Sequence, residues 1–284
     1  MEITNKLGLP DPIVNAIKNS NHKGGDYSAS GLQKSVRQHW LTKRHYSKMS
    51  EDAGDMIWAI FGTAVHNVLE KGAGKNDLPE EYFSTDFDGK SFTGTCDLWS
   101  DKTVTDYKTT SVWSVIYKSS YSDYEKQLNN YAYLYRINGF PVERLQIVAL
   151  LKDHSKRDAK QKEGYPSHPV QVIDIPLWTE VEQYTYIKNQ IDNFEKYAVV
   201  DDDYLPCCTK SDMWQDDDKF AVMKKGNKRA VRVLSSEDEA KQFISDKNLD
   251  DKHYIETRIA EPRKCQDYCS CAAFCNQYQN KLKG

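Results

Sequence analysis

A chain of 284 residues with 39% hydrophobic and 29% charged side chains can bury one large core or two modest ones, and its composition is that of a water-soluble enzyme. Thirty-nine Lys and Arg against 42 Asp and Glu leave a formal charge of −3, so any contact with nucleic acid has to come from local basic clusters. No run of about 18 apolar residues exists, which excludes a hydrophobic helical span, and the opening Met-Glu-Ile-Thr-Asn-Lys lacks the pattern of an export signal, so a cytoplasmic location is expected.

Residues 1–27 read as a lead-in, with a short amphipathic helix from Pro12 to Lys18 and a loop, Asn19 to Gly25, in which His22 is solvated. An α/β core is expected over 28–200 and a compositionally distinct module over 201–284. Ser30 is placed to cap a helix running to about Thr42. Its Lys34, Arg37 and His39 are candidates to touch a phosphate backbone, the alternative being a solvated charged face. Met56 to Lys71 reads as a second helix, with Ile57, Ile60, Phe61, Ala64 and Leu69 at helical spacing. His66 and Glu70, four apart, share one of its faces, and Gly62 leaves room for a close approach by backbone or substrate. Lys75 to Pro79 reads as a loop.

Residues 94–110, Gly-Thr-Cys-Asp-Leu-Trp-Ser-Asp-Lys-Thr-Val-Thr-Asp-Tyr-Lys-Thr-Thr, read as two strands joined by a polar turn at Ser100-Asp101-Lys102. Alternation puts Asp106 and Lys108 on one face, and Cys96, turned away from Asp97, in the core. Aspartates are depleted from strands, and paired ones repel unless something positive lies between them. Mg²⁺ or Mn²⁺ with hard oxygen ligands is one remedy, and cross-strand pairing with Lys108 is the other.

Ser122 to Asn138 follows as a helix with a packed stripe of Tyr124, Leu128, Tyr131 and Tyr135, from which Gln127 stands out as a polar group within reach of Lys108. Arg144 to Lys152 suits a buried strand, so the intervening helix makes a crossover. Lys152 to Pro166 reads as a mobile lysine-rich loop, His168 to Ile175 as a strand, and Thr179 to Tyr197 as a helix with Val181, Tyr184, Ile187, Ile191 and Phe194 inward. In the tail, Phe220 to Lys225 and Ala230 to Val233 flank a turn as a β-hairpin, and Lys224, Lys225, Lys228, Arg229 and Arg232 form a second basic cluster able to meet a phosphate backbone. Cys265, Cys269, Cys271 and Cys275 crowd four thiols into eleven residues, which points to a soft or borderline metal.

Taken together, Gly62-x-x-x-His66-x-x-x-Glu70, Gly94-x-x-Asp97, Asp106-Tyr107-Lys108-Thr109 and Gln127-x-x-x-Tyr131, in that order, resemble the RecB-type branch of the PD-(D/E)XK nuclease superfamily. The resemblance implies a restriction-endonuclease-like core, a central mixed sheet flanked by helices, with a C-terminal β-hairpin and Cys-rich metal-binding module. It implies Mg²⁺- or Mn²⁺-dependent hydrolysis of DNA, exonucleolytic by preference, in recombination, replication or processing. A viral or mobile-element origin, hence host cytoplasm, and an unidentified helicase or recombinase partner fit the same pattern. His66, Asp97, Asp106 and the Tyr107 carbonyl would hold the ion with Glu70 as an outer ligand, Lys108 would position the attacking water, and Gln127 and Tyr131 would hold Lys108 and the scissile strand. Relatives carry a four-iron four-sulfur cluster on three C-terminal cysteines and a distant one, so Cys265, Cys269 and Cys275 with Cys208 or Cys207 are expected ligands, although Val36 to Trp40 has no cysteine where relatives have theirs. Zinc on Cys265, Cys269, Cys271 and Cys275 is the alternative. The rivals in function are an end-trimming nuclease of the CRISPR-adaptation type and a non-catalytic nucleic-acid-binding or assembly module.

Overall fold

A computed structural model describes residues 1–18 and 24–283; of the expected loop from Asn19 to Gly25, residues 19–23, with His22, lie outside the described residues. The chain divides into two compact units, Met1–Lys34 with Tyr46–Val199, and Ser35–His45 with Val200–Gly284. In chain order the first unit holds β1 (Glu2–Thr4), α1 (Asp11–Lys18) and β2 (Tyr27–Ser28). The chain then gives α2 (Val36–His45) to the second unit. It returns with β3 (Ser50–Asp52), α3 (Ile57–Glu70), β4 (Leu78–Phe87), β5 (Lys90–Ser100), β6 (Thr103–Thr110), α4 (Val112–Ile116) and α5 (Tyr121–Ile137). The unit closes with β7 (Arg144–Leu151), α6 (Lys156–Gln161), β8 (Val170–Ile175) and α7 (Glu180–Glu195). The rest of the second unit is β9 (Lys219–Lys224), β10 (Arg232–Leu234), α8 (Glu237–Asp246), β11 (His253–Arg258), α9 (Arg263–Asp267) and α10 (Asn276–Lys283).

The first unit is built on a mixed sheet in the order β2-β5-β6-β7-β8, with β4 also on β5. Two hairpins set its register. Asp88 and Gly89 both have positive φ (52° and 78°), as do Asp101 and Lys102 (44° and 58°), the paired left-handed residues that a two-residue β-turn demands. The apolar run Leu145-Gln146-Ile147-Val148-Ala149-Leu150-Leu151 becomes β7, parallel to β6 along its whole length, so α5 is the expected crossover. β8 adds antiparallel at the far edge of β7. The core forms where Leu128, Leu134 and Tyr135 of α5 meet Leu145 and Ile147 of β7 and Ile187, Ile191 and Phe194 of α7, all buried. Buried Asn129 fastens α5 to the chain entering α7, since its side chain donates to the Pro176 carbonyl and accepts from Trp178 N and the Gln183 amide.

Several local expectations fail for identifiable reasons. Ser30 lies in helical conformation and makes no side-chain cap bond; Lys34 turns extended, so a single turn at Gly31–Gln33 precedes α2 instead of one continuous helix. β4 begins at Leu78, inside the expected loop. The segment 152–166 carries α6, started by Ser155, whose hydroxyl accepts from Asp158 N. On α7, Val181 and Tyr184 are exposed, because the buried stripe runs through Gln183, Ile187, Ile191 and Phe194 instead. No residue of α3 is fully buried: Ile60 packs on the small Val14, Ile17 and Ala53 cluster, whereas Ile57 and Phe61 stay exposed.

In the second unit β9 is the centre of a three-stranded antiparallel sheet with β10 and β11, and Ser236 caps α8. Among the described residues no helix is long and apolar enough to cross a membrane.

Candidate active site

The site lies where two paired strands part. β5 pairs with β4 along one side; on its other side it meets β2 at Phe92 and Thr93 and β6 at Leu98 to Ser100. Gly94 to Asp97 therefore have no strand partner on that side, and the fork opens between Asp97 and Asp106. Asp97 bridges the fork itself: its Oδ2 accepts from Tyr107 N at 2.6 Å. Gly94 is required by packing, since a Cβ there would stand 2.7 Å from Leu134 Cδ1 and 3.1 Å from the Tyr131 ring.

His66 reaches this fork from α3. Its Nε2 is 3.2 Å from the Tyr107 carbonyl oxygen, and its Nδ1 is 3.3 Å from Asp97 Oδ1 and 3.4 Å from Glu80 Oε1. Glu80 is the ligand candidate that sequence reasoning missed. The register pairs Pro79 with Leu98 and Glu81 with Cys96, which puts Glu80 opposite Asp97 on the neighbouring strand. Like charges directly opposite destabilise a sheet. Glu80 also has φ of +49°, a left-handed conformation costing a non-glycine residue about 1 kcal/mol. Ligand atoms of His66, Glu80 and Asp97 lie within 4.8 Å of one another.

Electrostatics match this crowding. Burial and the charge of Asp106 push the Asp97 carboxyl up to about 7, while the Glu80 carboxylate, helped by Asp97 and the Tyr107 carbonyl against burial, pushes His66 up to about 9. At neutral pH an imidazolium thus occupies the place a cation would take. Asp97 and Asp106 are buried, 8% and 2% exposed. Lys108 Nζ pairs with Asp106 Oδ2 at 2.6 Å; burial works against the ammonium, but this carboxylate outweighs it and raises the Lys108 pKa. The Lys108 ammonium is thus the partner of the buried Asp106 Oδ2. Two carboxylates and an imidazole converging in this way are a donor set that fits a hard divalent cation.

A cavity of about 890 Å³ opens on this cluster, lined by His66, Glu70, Glu80, Lys34, Thr95 and Tyr131 among others. Glu70 lines it from an exposed position one turn beyond His66. The expected bond from Gln127 to Lys108 gives way to another: the Gln127 amide donates to Tyr131 Oη at 3.0 Å, and Lys108 instead faces Asp106 and the Tyr124 ring. Gly62 has open space where a Cβ would stand, so no neighbouring backbone approaches it. Arg37 is not available to a phosphate. Its guanidinium is buried, 2% exposed, and donates to the Leu205 and Pro206 carbonyls and to Asn276 Oδ1. Lys34 is exposed at the cavity; Lys225, Lys228 and Arg229 are exposed and Lys224 half-buried after β9.

In the second unit Cys208, Cys265, Cys269, Cys271 and Cys275 line one small cavity together with Met213, Ala272 and Tyr278. The alternative ligand Cys207 is exposed and outside it. The Cys269 and Cys271 sulfurs are 3.4 Å apart, and Cys208 is held by paired backbone bonds to the Gln277 amide and by Ser35 Oγ at 3.1 Å. Burial, then the neighbouring thiols Cys269, Cys208 and Cys275, push Cys265 up to about 11. Thiols that raise one another's pKa in an apolar pocket are a donor set that a soft cation would stabilise as thiolates.

No protein-family model matches the sequence, and no curated protein matches it. Among solved structures the chain is similar to SSO0001, at 16% identity over 66% of this chain and 90% of that one, with a TM-score of 0.44. It is also similar to a phage related exonuclease from Haemophilus somnus 129PT (15% identity, 64% and 96% covered, TM-score 0.36). A third likeness is to an alkaline exonuclease from Laribacter hongkongensis (12% identity, 61% and 89% covered, TM-score 0.38). At such identities and scores these likenesses are distant.

Proposed function

We propose that the protein is a divalent-metal-dependent DNA nuclease, acting as an exonuclease, in which His66, Glu80 and Asp97 hold Mg²⁺ or Mn²⁺ with Asp106 and the Tyr107 carbonyl at the same fork. The observation that carries this reading is the convergence of ligand atoms of His66, Glu80 and Asp97 within 4.8 Å of one another at the fork. An ion bound there supplies a Lewis acid that acidifies a water and takes charge from a phosphate oxygen.

The chain's own groups do the rest. Lys108, kept charged by Asp106 at 2.6 Å, donates hydrogen bonds to the attacking water and to the non-bridging phosphate oxygens, where negative charge builds as the nucleophile adds. Asp106 aims that ammonium. Tyr131, fixed by the Gln127 amide, bounds the cavity beside Gly94, and Lys34 offers a point charge to a neighbouring phosphate. In the second unit we assign a four-iron four-sulfur cluster to Cys208, Cys265, Cys269 and Cys275, with Cys271 as the alternate ligand and zinc as the alternative metal.

The test is digestion of end-labelled linear DNA with Mg²⁺ or Mn²⁺ by the parent and by Asp97→Ala, Glu80→Ala and Lys108→Ala. Loss of cleavage in all three is expected; cleavage unaffected by them removes the site. An absorption band near ~400 nm with bound iron, in protein purified without oxygen, is expected of the cluster, and colourless protein containing zinc refutes it.

A further inference from the structure

The strand that carries Lys108 runs within five residues into α4, where Trp113 and Tyr117 stand exposed, 44% and 72% accessible, with their rings stacked 5.9 Å apart. Tyr165 meets Trp113 edge-on at 6.3 Å, and Lys162 Nζ lies over both, 5.8 Å from the Trp113 ring and 6.0 Å from Tyr165. On α3, the helix that supplies His66, Trp58 is 59% exposed and has Lys152 Nζ 4.0 Å above its ring. The two groups are joined through the backbone. Lys152 N donates to the Thr110 carbonyl, while Asp153 accepts from Ser111 Oγ at 2.6 Å and from Val112 N at 2.7 Å, fixing the start of α4 to the end of β7. Towards the site, Lys108 Nζ is 6.0 Å from the Tyr124 ring, Tyr124 is 6.2 Å from Tyr121, and Lys118 Nζ lies 5.9 Å over Tyr121. Lys118, Tyr121 and Tyr124 thus form a second run of ammonium and aromatic groups, which ends at Lys108.

Large aromatic faces left in water are unfavourable, and here Trp58, Trp113 and Tyr165 each have an ammonium over the ring while Tyr117 stacks on Trp113. A ring beside a positive charge, repeated, complements a polymer whose unit is a flat base beside a phosphate. Duplex DNA presents its bases already stacked and offers such rings only its backbone. A single strand offers both base faces and phosphates. The local charge agrees: residues 152–163 carry five basic side chains, Lys152, Lys156, Arg157, Lys160 and Lys162, against three acidic ones, of which Asp153 is engaged with α4 and Asp158 pairs with Lys162.

We propose that the face formed by Trp58, Trp113, Tyr117 and Tyr165 with Lys152 and Lys162 is a stacking platform for single-stranded DNA, which delivers a strand end or overhang to the cluster around His66, Asp97 and Lys108. The delivery rests on the nuclease reading; the binding does not.

The experiment measures anisotropy of a labelled oligo(dT) and of a blunt duplex with the full chain, without added divalent cation, across a salt series. Tighter binding of the single strand is expected, weakened about ten-fold or more in the double variant Trp113→Ala, Tyr117→Ala with duplex affinity unchanged. Trp113→Phe with Tyr117→Phe should restore the affinity, and Lys162→Ala should lower the salt slope by about one. Single-strand binding unmoved by the alanine pair, or equal losses for single strand and duplex, overturns the proposal. The same proteins are then given Mn²⁺ and DNA ends. Ring-dependent binding with no cleavage leaves the platform standing and removes the nuclease; cleavage with ring-independent binding does the reverse.

Discussion

Replacing Glu80 by Gln keeps the side chain's size and the backbone turn while removing one negative charge from the fork. His66 Nδ1 lies 3.4 Å from Glu80 Oε1 and 3.3 Å from Asp97 Oδ1, and Glu80 is the largest cause of the rise of His66 from 6.5 to about 9. That rise corresponds to about 3 kcal/mol favouring the imidazolium, at about 1.36 kcal/mol per pH unit, shared among Glu80, Asp97 and the Tyr107 carbonyl after the opposing effect of burial. Solvent reaches both side chains, so about 1 to 2 kcal/mol of it is assigned to Glu80. The folded pKa lies above the unfolded one; the stabilisation is therefore complete below about pH 6.5 and is lost as pH rises through about 9. In cation-free protein, Glu80→Gln should bring the His66 midpoint down by about one unit. It should cost about 1 to 2 kcal/mol at pH 6, and should become neutral or stabilising above pH 9, where the parent sets two bare carboxylates opposite each other. NMR titration of the His66 ring, with urea unfolding at the two pH extremes, measures both. A midpoint within a few tenths of a unit of the parent's refutes the assigned geometry.

Mn²⁺ should raise the melting temperature more at pH 8 than at pH 6, because His66 and Asp97 must both give up protons to it; a hundredfold excess over Kd is worth about 2.7 kcal/mol, and a pH-independent gain counts against ligation by these residues. Arg37→Met should cost roughly 2 to 5 kcal/mol in urea unfolding, by leaving the Leu205 and Pro206 carbonyls and Asn276 without their donor. The same variant should leave the salt slope of DNA binding unchanged, since the guanidinium it removes is buried; a shallower slope would put Arg37 on the phosphates after all. Gly94→Ala should lose about 1 to 3 kcal/mol of stability, read in the same urea assay, because the added methyl meets Leu134 and Tyr131; an unchanged midpoint would mean that α5 is not held at this distance.

Part of the candidate site's local geometry was legible from spacing. Alternation along 94–110 put Cys96 in the core and set Asp106 and Lys108 on one face, where they form an ion pair. The four-residue interval put His66 and Glu70 on one face of α3, and the apolar run from Leu145 marked a buried strand, which the structure sets parallel to β6. Each of these rests on a local period, 2.0 in a strand or 3.6 in a helix, which the order of residues alone encodes. Asp88-Gly89 was a further local signal, for the hairpin that brings β4 alongside β5.

What spacing did not contain was which distant side chains meet. Glu80 joins His66 and Asp97 because β4 pairs with β5 in one register and turns left-handed at that residue, a conformation its sequence neighbours do not announce. Arg37 passes from a candidate phosphate contact to a buried tie because its guanidinium finds two carbonyls more than 160 residues away. Cys208 lines the thiol cavity and the adjacent Cys207 does not, a choice made by the turn of the chain against Gln277. Periodicity determined which way each side chain faces along its own helix or strand. Long-range pairing, whose energy is earned only when the whole sheet and the second unit have formed, decided what it faces.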